Sequence, residues 1–142
     1  IKSKQKLTLV NFFIVFRFVL TNNWIMKLSQ SFEDYLEAIY VLEISNQKIK
    51  SVVISRMLNV SKPAVTKAMN ELFDAKFIEK TPYSQIKLTK SGRQIAKNVY
   101  HRHTVIRDFL INKLGVSKEI AEKDCCMIEH VISPETLKAM EA

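Results

Sequence analysis

Apolar residues recur at helical spacing through most of the chain after Met26. Phe32, Tyr35, Leu36, Ile39, Tyr40 and Leu42 line one face of a segment that runs to about Ser45, the period of an amphipathic helix. Ser31, with Asp34 three residues later, has the form of a capping box, which predicts that this helix opens there. Asn46 to Lys50 is a polar turn, and Val52–Leu58 is a short helix. Asn59-Val60-Ser61 then makes a tight turn. Ser61 is a good N-cap, and Pro63 falls in the first helical turn, where a missing N–H costs nothing. The helix that follows, Lys62 to Ala75, turns Val65, Ala68, Met69 and Leu72 inward.

From Lys76 to Thr89 the period shortens. Phe77 to Lys80, a turn at Thr81-Pro82-Tyr83-Ser84, and Gln85 to Thr89 predict a β-hairpin with Ile86 and Leu88 inward. Thr89 caps a long helix to about Lys113, with Ile95, Val99, Val105, Ile106, Phe109 and Leu110 as its stripe. Gly115 ends it, Ser117 caps a helix over Lys118–Ile132, and Ser133-Pro134-Glu135 opens a last one. Only two glycines and three prolines punctuate 142 residues, which favours long helices over a many-stranded fold. The expected fold is mainly α. Helix, short turn, helix, hairpin, helix is the order of a winged helix-turn-helix, here followed by a further helical segment.

Residues 1–25 follow a different pattern. They show no clear amphipathic period, hold half of the eight Phe residues, and have Arg17 inside their apolar run. The run Leu7–Leu20 is shorter than the roughly 20 residues that span a bilayer. Lys2, Lys4 and Lys6 ahead of it suit a signal peptide, yet no small-x-small cleavage site follows. The expectation is a natural start at Met26, with residues 1–25 a non-native or upstream leader; a membrane tether is the alternative.

Charge sharpens this picture. The chain carries a formal +8, and residues 48–97 alone hold eleven Lys or Arg against three acids. Residues 98–142 carry slightly more acids than bases. A basic stripe of that density is the footprint of a phosphate-backbone binder. With its apolar face packed, the helix after Ser61 leaves Lys62, Pro63, Thr66, Lys67 and Asn70 outward. Lys reads guanine O6/N7, Asn pairs with adenine, and Thr and Pro touch thymine methyls. Ser61 and the helix N-terminus suit a phosphate, and Lys80 and Lys87 flank the hairpin tip, placed for the backbone or minor groove. A solvated basic face on an ordinary helical domain is the plainer reading.

A second chemistry lies C-terminal to the hairpin. Cys126, Glu129 and His130 stand at i, i+3 and i+4, one helical face of metal-ligand types. Asp34 and Glu37 share a face of the first helix, and His103 sits mid-way along the long one, off its apolar stripe. Each residue alone also has a plain explanation: Glu129-His130 as an exposed polar pair, Cys126 as a small buried hydrophobe, His103 as a solvated side chain. Cys125 and Cys126 are neighbours, point about 100° apart on a helix and have no other cysteine to pair with, which fits a reducing cytosol. No Gly-rich phosphate loop, nucleophile motif or H-E-x-x-H pattern is present, so an enzyme is not expected.

The ordered set Asp34-Tyr-Leu-Glu37-Ala-Ile-Tyr, Val60-Ser-Lys-Pro-Ala-Val-Thr, Leu88-Thr-Lys-Ser-Gly92, Arg102-His103 and Cys126-x-x-Glu129-His130 resembles the diphtheria toxin repressor family. Within it, the chain is most similar to the manganese transport regulators, from about Leu28 to Ser133. The resemblance implies a cytoplasmic homodimer that takes up Mn(II) or Fe(II), grips a palindromic operator in double-stranded DNA and represses metal-uptake genes. It implies Asp34, Glu37, His103, Cys126, Glu129 and His130 as metal ligands. The Asp34/Glu37 pair matches the manganese branch, whereas Cys126 stands where iron-type members carry Cys and manganese members usually carry Glu. Arg107 occupies a position where some members have a glutamate ligand. No SH3-like domain follows, and the dimerisation segment is expected to be incomplete at Ala142. The division is then a leader at 1–25, a winged helix-turn-helix domain at 26–97 and a helical metal-binding and dimerisation domain at 98–142. A winged-helix regulator that ignores metal is the competing reading, and no membrane partner is expected.

Overall fold

The structure, a computed structural model, describes residues 29–81 and 85–142. The leader and the Met26 start lie outside the described residues, as does the tip of the hairpin turn. The elements are α1 (Gln30–Ile44), α2 (Ser51–Met57), α3 (Lys62–Asp74), β1 (Ile78–Thr81), β2 (Gln85–Leu88), α4 (Lys90–Asn112), α5 (Lys118–Ile128) and α6 (Pro134–Met140). β1 and β2 pair antiparallel with Ile78 opposite Leu88 and Lys80 opposite Ile86. Mainly helical, with a helix-turn-helix, a hairpin wing and a helical C-terminal segment, the architecture is the expected one.

Side chains set the helix starts. Ser61, Thr89, Ser117 and Ser133 cap α3, α4, α5 and α6, as their positions predicted, each accepting from a backbone N–H three residues on. α1 departs from expectation. Ser29, not Ser31, is its cap, accepting from the Phe32 N–H, so Ser31 is already helical and the Ser31–Asp34 capping box does not form. A serine one turn-step earlier offered the same chemistry and admitted two more residues to the helix. Four helices end alike, with a residue of positive φ just past the last turn: Asn46, Asn59, Lys76 and Gly115 at 55°, 52°, 62° and 68°. The next residue's N–H then reaches back six positions or five, to Leu42, Ser55, Leu72 and Leu110 carbonyls. Asn and Gly tolerate that conformation, while Lys76 adopts it at a steric cost.

The core gathers α1, α2, α3 and the wing. Leu36, Ile39, Ile54, Val65, Leu72 and Ile78 are at most 1% exposed, and Leu88 and Ala96 complete the cluster. All four inward residues expected on α3 are buried, and Ile86 packs against the core half-buried. Burial of each such Leu or Ile contributes about 1.5–3 kcal/mol relative to exposure. α4 joins this unit at its first turn. Thr89 Oγ donates to the Lys76 and Phe77 carbonyls at 2.8 and 3.1 Å, and Gly92 lies so close that a Cβ there would sit 2.0 Å from Phe77 O. Farther along, α4 buries Val99 and Ile106, while Val105, Phe109 and Leu110 are half-buried; α5 buries Ala121 and Cys125. Its regular helix stops at Ile128 rather than Ile132, with Glu129 as C-cap and His130 in the turn beyond. α1 and α5 therefore flank the same stretch of α4, and donors from all three face one another.

Candidate metal centre

Glu129 organises the site. It is 1% exposed, and its two carboxylate oxygens face different histidines: Oε2 is 2.9 Å from His103 Nδ1 and Oε1 is 3.3 Å from His130 Nε2. His103 comes from the middle of α4, and its Nδ1 also lies 3.7 Å from Glu37 Oε1 of α1. His130 reaches back to α1, with Nε2 2.9 Å from Asp34 Oδ1 and Nδ1 2.7 Å from Glu33 Oε2. Cys126 completes the set, its Sγ 3.9 Å from His103 Nδ1. The six residues that the family resemblance implies as ligands thus form one continuous chain of contacts drawn from α1, α4 and the end of α5. Cys126 itself is exposed; the buried thiol is its neighbour Cys125.

Protons hold this cluster together where carboxylates crowd. His103 is pushed up to about 11, first by its bond to Cys126 and then by Glu129. Burial opposes a charge on His130, but contacts with Asp34, Glu129 and Glu33 outweigh it and raise it likewise to about 11. Burial would lift Glu129 and Glu33, yet the histidines, and for Glu33 also Arg102, hold both below the usual carboxylate range. Glu37 has no such rescue: burial first, and Glu129 next, raise it to about 7. Burial pushes the Cys125 thiol up to about 12.

The donor set fits a divalent transition metal. His130 Nε2 is buried and makes no aligned hydrogen bond, although Asp34 and Glu129 oxygens stand 2.9 and 3.3 Å away. Atoms that crowd a common point without aiming at one another suit a shared cation better than a hydrogen-bond network. Among the described residues, three groupings have donor atoms mutually within 4.8 Å: Asp34 with Glu129 and His130, Glu37 with His103 and Glu129, and His103 with Cys125 and Cys126. Imidazole and carboxylate are ligands for Mn and Fe, and thiolate favours softer ions.

Three partners escaped the sequence reading. Glu33 accepts from His130 Nδ1 and from Arg102 Nη2 at 3.0 Å, so it fixes the ring whose Nε2 faces the site. Glu122 Oε2 stands 3.1 Å from His103 Nε2, and its other oxygen lies 3.9 Å from Arg107. Cys125 Sγ lies 3.4 Å from His103 Nε2. The available signal was one turn of helix: Glu33 precedes Glu37 by four residues, as Glu122 precedes Cys126.

On the far side of α1, Ser61, Lys62, Pro63, Thr66, Lys67 and Asn70 of the α3 unit are all exposed, as are Lys80 and Lys87 on the wing. Their neighbours constrain them. Lys67 Nζ is 3.8 Å from Glu71, and Thr66 Oγ1 donates to the Lys62 carbonyl at 3.1 Å. Lys80 Nζ donates to Asn70 Oδ1 at 2.7 Å and sits 5.2 Å over the Phe73 ring, tying wing to helix.

A family model described as iron dependent repressor, N-terminal DNA binding domain, matches residues 27–86, and its companion, the metal binding and dimerisation domain, matches residues 89–142. An uncharacterised HTH-type transcriptional regulator of Methanocaldococcus jannaschii is 35% identical over 115 residues, which cover 80% of this chain and 92% of the relative. The transcriptional regulator MntR of Salmonella typhimurium is 37% identical over 110 residues, covering 78% and 69%. Among solved structures, the manganese regulator SloR superposes with a TM-score of 0.70 at 29% identity, covering 78% of this chain and 51% of that one. T. acidophilum IdeR does so at 0.69 and 28% identity, covering 76% and 51%. The chain spans about half the length of these two structures.

Proposed function

The chain belongs to the iron-dependent repressor family, and from that membership we propose that it is a transcriptional repressor whose grip on DNA depends on a divalent metal, Mn(II) or Fe(II). As a member of a repressor family it is a regulator, not an enzyme. The observation that carries the reading is the meeting of α1, α4 and the end of α5 at a buried carboxylate, Glu129, flanked by two histidines. Asp34, Glu37, His103, Cys126, Glu129 and His130 would hold the ion, which supplies there the positive charge that two imidazoliums otherwise provide.

Asp34 and Glu37 lie on α1, whose other face is the core of the DNA-binding unit; His103 lies on α4, and Cys126, Glu129 and His130 at the end of α5. Ligation from both sides fixes the DNA-binding unit against the C-terminal helices. We assign residues 26–97 to DNA binding and 98–142 to metal binding and dimerisation, with α4 running unbroken across the division. Exposed Ile120, Met127 and Val131 on α5 and just past it offer an apolar stripe to a second copy. In a homodimer, the orientation of α3 sets the separation of the two recognition helices, which must match half-sites about one helical turn apart in a palindromic operator. Only a metal that prefers the DNA-competent arrangement shifts the equilibrium. Ser61 and Lys62 would take phosphate, Pro63, Thr66, Lys67 and Asn70 would read base edges, and Lys80 and Lys87 would follow the backbone. Repression of metal-uptake genes is the regulatory outcome. Among the described residues no helix is long and apolar enough to cross a membrane, and action on DNA is the support for a cytoplasmic location.

A winged-helix regulator indifferent to metal would have no use for Asp34 and His130 gathered on the buried Glu129 carboxylate. The test is binding of fluorescent promoter DNA from a metal-uptake gene with Mn(II) and after chelation. Tighter binding with Mn(II) supports the proposal, and equal binding in both states refutes it.

A further inference from the structure

Two arginine–glutamate pairs pin α1 along α4, one near each end. Arg102 Nη2 lies 3.0 Å from Glu33 Oε2, and Arg93 Nη2 lies 2.7 Å from Glu43 Oε2. The first pair sits beside the metal centre, where Glu33 also meets His130. The second lies nine residues past Asp34, about 14 Å along the helix, and there Glu43 has a further partner. Its Oε1 accepts from the Leu88 backbone N–H at 3.2 Å.

Leu88 ends β2 and is buried. In a two-stranded sheet this N–H faces away from β1, so it needs an acceptor from elsewhere in the fold. Glu43 supplies a charged one, the stronger kind. Its other oxygen, Oε2, is buried and makes no aligned hydrogen bond despite the nearby Arg93. Arg93 therefore balances the charge, while the directional bond is the one to Leu88. The opposite strand rests on a different helix, because Lys80 of β1 donates to Asn70 of α3. The wing is thus held between α3 and α1, and α1 carries Asp34 and Glu37.

We infer that Glu43 is a positioning residue that carries the placement of α1 to the wing through the Leu88 N–H. An ion on Asp34 and Glu37 then sets the exposed wing cation Lys87, the neighbour of Leu88, as well as the recognition helix. The inference rests on the proposed metal-gated function.

The experiment compares wild type, Glu43→Gln and Glu43→Asp, all full chains. Gln keeps the length and an acceptor oxygen for Leu88, while Arg93, half-exposed, turns to water. Asp keeps the charge for Arg93 but is shorter by one C–C bond, about 1.5 Å, and cannot hold the Leu88 N–H. Promoter-DNA binding is measured with Mn(II) and after chelation, Mn(II) affinity without DNA by chelator competition, and exchange of the Leu88 amide in the metal-free chain by NMR. Glu43→Gln is expected to keep the Mn(II)-dependent gain within about twofold, and Glu43→Asp to lose about threefold to thirtyfold of it, the range for residues that touch neither ligand. The Leu88 amide exchanges faster only in Glu43→Asp. DNA affinity after chelation and Mn(II) affinity without DNA hold in both variants. A role confined to the ion pair gives the reverse order, with Asp like wild type and Gln impaired. That order, or a Gln variant that falls as far as Asp, overturns the inference. A full gain in wild type that Glu43→Asp leaves intact refutes the positioning role alone. Equal DNA binding by wild type in both metal states refutes the proposed function, and the positioning role falls with it.

Discussion

Raising the pH from near 7.5 to near 8.5 should tighten Mn(II) binding steeply, and the structure says by how much. His103, bonded to Cys126 and Glu129, and His130, whose contacts with Asp34, Glu129 and Glu33 outweigh burial, are each raised from an ordinary 6.5 to about 11, so both rings carry a proton throughout that interval. A metal takes only neutral imidazole. Binding therefore releases at least the two histidine protons, and Glu37, raised to about 7, is already mostly ionised and adds little. Each released proton is worth about tenfold in affinity per pH unit, since one pKa unit corresponds to about 1.4 kcal/mol. Two give about a hundredfold gain across the interval. Ordinary histidines would be largely neutral by pH 7.5 and would give almost none. The same shifts act on the metal-free fold with a definite sign: the stabilisation from two raised histidines is full below pH 6.5 and is lost as pH rises through about 11. Calorimetric titration with Mn(II), under anaerobic conditions and in buffers of different ionisation heat, counts the protons directly. Release of fewer than one proton per ion near pH 7.5 would show that the imidazolium–carboxylate cluster is wrongly described.

Other expectations concern the DNA face and the frame behind it. Lys67→Ala removes a well-exposed recognition-helix cation and should weaken operator binding by about 1–3 kcal/mol while sparing random DNA; equal losses on both would deny it a base-reading role. Lys80→Ala should weaken all sequences alike and reduce the salt slope by about one, an unaltered slope in a salt titration arguing against a phosphate contact. Gly92→Ala forces a Cβ to within 2.0 Å of Phe77 O and should cost at least about 2 kcal/mol by chemical denaturation, toward the upper part of the overpacking range. A chain beginning at Met26 should fold, dimerise and bind DNA like the full chain, and failure to fold would make residues 1–25 part of the core.

The sequence carried the parts of this molecule that periodicity controls. On α3, spacings of three, one and three put Val65, Ala68, Met69 and Leu72 on one face because 3.6 residues make a turn, and no distant partner could alter that. Spacing likewise placed Asp34 with Glu37 and Cys126 with Glu129 and His130. It could not say that the two faces meet across α4, which depends on how three helices pack; the family resemblance supplied that expectation. Partners defined only by packing were illegible for the same reason. Glu33 is one more acid on an acidic first turn until His130 arrives from ninety-seven residues away. The start of α1 slipped because Ser29 and Ser31 are chemically equal caps, and only the path of the preceding chain distinguishes them. The sequence puts Lys80 beside the hairpin tip but cannot show that it reaches Asn70, a contact set by how the hairpin folds back on α3.

The central claim is that metal held across α1, α4 and α5 governs DNA binding, and His130 is where it is most exposed to test. Its ring is 4% exposed and touches Asp34, Glu129 and Glu33 together. The measurement is promoter-DNA binding titrated with Mn(II), for wild type and for His130→Ala, with circular dichroism confirming that the variant folds. The account predicts a wild-type response that vanishes on chelation, and a folded variant that keeps only weak, salt-sensitive, sequence-independent binding at every Mn(II) concentration. A folded His130→Ala chain that answers Mn(II) as wild type does would contradict it.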